Sequence, residues 1–113
     1  MKTVHDLSQT ERQILVEFQR RIREAFPDWT VRMTLFGSRA RGEAQPDSDM
    51  DLLLEVEKDH VSLAEKRVLR HMAGELSMES GIILTLFVAD RCLRRERGEF
   101  SIFRRIREEG IPA

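Results

Sequence analysis

The chain predicts an α/β fold with a small mixed β-sheet packed by helices, on three observations. Residues 29–36, 50–56 and 82–89 are apolar and rich in strand-forming side chains. Between and around them, apolar residues recur at helical spacing, so strands and helices alternate along the chain. The middle strand carries Leu52, Leu53 and Leu54 without interruption, the pattern of a strand buried on both faces in a helix-covered sheet.

The elements follow in order. Ser8-Gln9-Thr10-Glu11 has the reciprocal capping-box spacing, and Ile14, Leu15, Phe18, Ile22, Ala25 and Phe26 mark one helical face until Pro27 stops it. This predicts a helix over residues 8–26. A strand over 29–36 ends at Gly37, and a short helical turn fits residues 38–41. Pro46-Asp47-Ser48 turns the chain into the second strand, 50–56. Val61, Ala64, Val68, Leu69, Met72, Ala73 and Leu76 predict a long amphipathic helix closed by Gly81. The third strand covers 82–89, and the basic stretch 91–107 reads as one or two short helices ending at Gly110, before Pro112. With no internal repeat, low-complexity tract or linker, residues 1–113 are expected to form one domain.

Hydrophobic residues at 41% and charged residues at 35% exclude a disordered or fibrous chain. Nineteen basic against twenty acidic residues give a formal charge of -1, which removes any overall attraction to nucleic acid or anionic membrane. Cys92 is the one cysteine, so no intramolecular disulfide forms, and no apolar leader or membrane-length run is present. A cytoplasmic location is expected.

The loop "GSRARGEAQPDSDMD", residues 37–51, carries the chemistry. Gly37 and Ser38 sit where a strand gives way to a helical turn, so backbone amides and a hydroxyl are available to phosphate oxygens. Arg39 and Arg41 add cationic, bidentate donors, and Gly42 frees the backbone again. Asp49 and Asp51, at the mouth of the second strand, project on the same face because strand side chains alternate. Two such carboxylates resist joint ionisation unless a cation separates them, and a divalent metal held by carboxylates and substrate phosphates resolves the conflict. The pattern therefore reads as a site for a metal and a nucleoside triphosphate, with Asp49 and Asp51 as metal ligands and catalytic residues.

Gly37-Ser38 followed by Asp49-Met50-Asp51, between two apolar strands and after an amphipathic helix, resembles the DNA polymerase β-like nucleotidyltransferase superfamily. More closely, it resembles the minimal nucleotidyltransferases. That resemblance implies the polymerase β-like fold and transfer of a nucleoside monophosphate from an NTP, ATP foremost, to a hydroxyl, with Mg²⁺ on the paired aspartates. It also implies a HEPN-domain protein as partner, with an antitoxin role by adenylylation of that partner; a homo-oligomer fits equally. The family's further carboxylate on the next strand falls here at Thr85, which is neutral, while Asp90 and Glu55 lie away from it. The rival reading is therefore a degenerate nucleotidyltransferase fold that binds a nucleotide or a partner without chemistry.

Other residues carry blander expectations. Asp47 fits a solvated turn, with metal ligation as an auxiliary role. His5, His60 and His71 lack ligand spacing, Cys92 reads as an unreactive thiol and Trp29 as a core or edge anchor. The arginine-rich segment 91–109 reads as a solvated helical face, with an acidic partner or RNA as the alternative.

Overall fold

The computed structural model describes residue 3, residues 6–97 and residues 101–113. His5 and residues 98–100 of the basic stretch lie outside the described residues. The elements are α1 (Gln9–Ala25), β1 (Val31–Phe36), α2 (Ser38–Arg41), β2 (Met50–Val56), α3 (Leu63–Ser80), β3 (Leu84–Ala89), α4 (Arg91–Arg97), α5 (Ser101–Glu109) and β4 (Ile111–Pro112). The four-stranded sheet has the order β3-β2-β1-β4. β1 and β2 pair antiparallel across the polar loop, with Phe36 opposite Asp51. β2 and β3 pair parallel, as a crossover through α3 requires, with Asp51 opposite Thr85. The sheet is mixed, and helices pack on it, as the sequence predicts.

Both long helices begin with the capping box their sequences spell. Ser8 and Glu11 exchange hydrogen bonds at the start of α1, and Ser62 and Glu65 at the start of α3. Gly81 ends α3 at φ 77°, a conformation that favours glycine. The buried stripe of α3 is Leu69, Met72, Ala73 and Leu76, whereas Val68, one position off that stripe, remains 43% exposed.

Alternation along β2 assigns its two faces. Met50, Leu52, Leu54 and Val56 join Leu15, Phe18, Ile22 and Leu69 in the main core under α1 and α3. Leu53 points the other way, into a smaller cluster with Ala89 and Ile106. Asp51 shares the parity of Leu53, so it belongs to this second face, which α5 partly covers.

The first and third strands start later than expected. Trp29 precedes β1 and stacks on Phe26, ring centroids 3.8 Å apart, with the Lys58 ammonium 5.7 Å from its ring. β4 was not predicted. Its two residues carry no period, yet Ile111 is buried opposite Leu35, and the Ala113 amide donates to the Met33 carbonyl at 2.9 Å. Among the described residues no helix is long and apolar enough to cross a membrane.

Candidate active site

β1 ends at Gly37, whose φ of 78° and ψ of -160° turn the chain into the one-turn helix α2. A second constraint acts at the same residue. A Cβ there would lie 2.2 Å from Asp51 Oδ2, so a side chain at this position would displace the carboxylate. Gly42, at φ 75°, closes α2 by donating its amide to the Ser38 carbonyl. The Ser38 hydroxyl makes no hydrogen bond among the described residues and is partly exposed beside this turn.

Asp49 is exposed at the strand mouth, and Asp51 is half-buried behind it. Burial raises the pKa of Asp51, the neighbouring charge of Asp49 raises it further, and Arg41 offsets part of the rise. Thr85 stands beside the pair in the parallel register, and its hydroxyl donates to Asp49 Oδ2 at 3.4 Å. The position expected from resemblance to hold a further carboxylate thus supplies a weak donor in place of a charge. Among the described residues no three acids, histidines or cysteines cluster as metal ligands. Asp90 is occupied elsewhere, accepting from the Leu93 and Val61 amides at 2.8 and 3.0 Å, and Glu55 faces Arg94 at 3.6 Å.

The two loop arginines have different surroundings. Arg41 is half-exposed, lies close enough to Asp51 to lower its pKa, and pairs with Glu43 at 3.0 Å. Arg39 is nearly buried. Its Nη1 donates to Glu11 Oε2 at 3.1 Å, Nε and Nη2 donate to the Ser48 carbonyl at 3.0 and 2.8 Å, and Nη2 also reaches the Pro46 carbonyl at 3.3 Å. The guanidinium thereby ties α1 to the segment that delivers Asp49, and it is not available to a ligand in this arrangement. Glu11 completes the link by accepting from the Ser8 amide at 2.8 Å. Its role here was hidden in the sequence because the capping box already accounted for it.

Asp47 is exposed in the turn, which Ser48 closes by hydrogen bonds to the Gln45 backbone. His60 and His71 are exposed, and His71 sits 3.5 Å from Glu75. Cys92 donates to Glu96 at 3.4 Å, a contact that, with burial, raises the thiol pKa away from reactivity. On the sheet's second face, Phe36, Leu53, Phe87, Phe103 and Ile106 help line an apolar cavity of about 270 Å³. Sequence reasoning could not find it, because its walls come from six separated elements.

A family model described as "Nucleotidyltransferase domain" matches residues 15–89, from α1 to the end of β3, and so takes in the whole loop from Gly37 to Asp51. The chain belongs to the nucleotidyltransferase family. It is 30% identical over 82 residues to the Methanocaldococcus jannaschii protein named "Putative protein adenylyltransferase MJ0141", an alignment covering 73% of this chain and 82% of that one. No solved structure matches it at comparable significance. The protein is thus a minimal nucleotidyltransferase domain with a mixed sheet packed by helices.

Replacing Ser38 by alanine in this nucleotidyltransferase domain removes a hydroxyl with no structural partner among the described residues. The fold is therefore expected to be unchanged, while triphosphate affinity falls by about 0.5–1.5 kcal/mol, the net worth of one hydrogen bond. Calorimetric titration beside a thermal melt measures both, and unchanged affinity would move the phosphate cradle away from Ser38.

Proposed function

We propose that residues 1–113 act as one domain that transfers a nucleoside monophosphate, AMP foremost, from an NTP to a hydroxyl on a protein acceptor. The observation that carries this reading is the Asp51 carboxylate lying against Gly37, which brings the acidic pair and the strand-to-helix turn together. Gly37 and Ser38 bind the triphosphate, Arg41 offsets charge that develops on it, and Asp49 and Asp51 would hold Mg²⁺. The donor set fits a hard cation: two carboxylates share one strand face, and Asp51 is reluctant to ionise without a positive neighbour. When bound, the ion neutralises phosphate charge and orients the polyphosphate. In the reaction the acceptor oxygen bonds to the α-phosphorus as the bond to the pyrophosphate oxygen breaks. The acceptor's proton goes to solvent, since Thr85 cannot take it.

A HEPN-domain protein is the proposed acceptor, with adenylylation serving an antitoxin role. The name of the M. jannaschii relative supports a protein acceptor. The second reading, binding without chemistry, is favoured by Thr85 alone. The experiment is transfer of label from α-labelled ATP to a co-expressed HEPN partner, with Mg²⁺ or with a chelator. Labelling that needs the cation is expected. Cation-independent ATP binding without labelling would overturn the catalytic reading.

Thr85→Asp is expected to strengthen divalent-ion binding and to raise transfer, because it adds a charge opposite Asp51. Thr85 is only partly buried, so the added carboxylate keeps access to water. Fast transfer by the natural protein, slowed in Thr85→Asp without loss of fold, would show that this position does not limit catalysis.

A further inference from the structure

We infer that Arg105, on α5, is a phosphate-contacting residue that completes the triphosphate site beside Gly37 and Arg41. The proposal rests on the nucleotide-site reading above and extends it to a helix outside the matched segment 15–89. A cavity of about 250 Å³ is lined by Phe36, Gly37, Arg41, Arg105, Ile106 and Glu109, so α5 forms one wall and the strand-to-helix turn the other. Two guanidinium groups from separate elements thus line the space beside the glycine that begins the phosphate cradle.

The arginine-rich C-terminal segment divides at this point. On α4, Arg91 and Arg94 are engaged by Glu55, Glu57 and Asp59, which neutralises them. Arg105 forms no hydrogen bond or ion pair among the described residues, and it is exposed. An arginine with open donors can take a phosphate bidentately at little reorganisation cost, because its planar fork is already formed.

Arg105 is also held in place. Ile106, next to it, is 5% exposed and packs on Leu53 and Ala89 of the sheet. The helix ends at Gly110, where a Cβ would meet Thr34 Cγ2 at 2.3 Å and the Ile106 carbonyl oxygen at 2.5 Å. Ile111 then pairs with Leu35 of β1, the strand that leads into Gly37. The two-residue strand β4 therefore fixes α5 beside the cradle. Glu109 puts a carboxylate on the same wall, where it opposes phosphate binding.

The test is calorimetric titration of the full chain, in Mg²⁺, with α,β-methylene-ATP and separately with AMP. Arg105→Ala is expected to weaken the triphosphate analogue roughly tenfold or more, the usual worth of a charged hydrogen bond, with AMP affected much less. Arg105→Lys should recover part of the loss, Arg104→Ala, an exposed neighbour on the same helix, should bind like the natural protein, and Glu109→Gln should bind more tightly. Natural affinity in Arg105→Ala, or equal losses for AMP and the triphosphate analogue, would overturn the assignment. If Asp49→Asn/Asp51→Asn loses binding and Arg105→Ala does not, only the role of Arg105 fails. If the natural protein binds no analogue, the nucleotide site and Arg105 fall together.

Discussion

Asn at both Asp49 and Asp51 is expected to abolish divalent-dependent nucleotide binding while making the metal-free domain more stable. The amide keeps nearly the shape of the carboxylate, so the close approach of residue 51 to Gly37 survives the change. What disappears is charge. Loss of partners that merely support metal ligands commonly costs 10–100-fold in metal affinity, so removing both proposed ligands should cost at least about a hundredfold. The gain in stability has a separate origin: burial disfavours the ionised form of Asp51, and the charge of Asp49 disfavours it further. Relief of that conflict should raise the melting temperature of the double variant above that of the metal-free natural protein. Excess divalent cation should stabilise the natural protein and leave the variant unmoved, since only the former binds it. Equal nucleotide affinity in both proteins, with and without cation, would remove the metal from these carboxylates. A stability cost for working residues is common at sites kept for function rather than packing.

Much of this site was legible because its determinants are local. Gly37 announces the end of the first strand, Asp49 and Asp51 announce a shared face through strand parity, and the strand from Met50 to Val56 is bounded as its pattern implies. The Ser8–Glu11 capping box is likewise a short-range signal. The remainder depended on contacts between distant segments. Arg39 looked like a second phosphate ligand because it lies two residues from Arg41, yet its direction is set by Glu11, 28 residues earlier. β4 is too short to carry any pattern, so the pinning of α5 beside Gly37 had no sequence signature. Trp29 and Ile83 have strong strand propensity but fall outside β1 and β3, since propensity reports fit to a pleated surface and not where pairing begins.

Arg39→Ala is expected to destabilise the domain by about 3–5 kcal/mol, because it leaves Glu11 buried without its cation. Side-chain exposures of 8% for Arg39 and 10% for Glu11 place the pair far from the weak surface class. A loss of that size is a large share of the stability of an ordinary domain, so a drop of more than about 10 °C in the melting temperature should follow. The pH dependence gives a sharper signature. Burial alone would raise the Glu11 pKa, but hydrogen bonds from the Ser8 amide and Arg39 outweigh it and the value is lowered below 4.5. A lowered folded-state pKa contributes stability that is present above the unfolded value and is lost as pH falls through the folded one. The difference between natural protein and Arg39→Ala should therefore be full at neutral pH and shrink below 4.5, as urea titrations on either side would show. Replacing both partners by apolar residues of similar volume, Arg39→Met with Glu11→Leu, should recover part of the loss, the Ser8 amide having lost its acceptor. That recovery should not extend to metal affinity, because the Ser48 and Pro46 carbonyls ahead of Asp49 would still lack the donors that hold them. Arg39→Ala with natural stability but selectively weakened triphosphate binding would instead return Arg39 to the phosphate-binding role its position in the loop first implies.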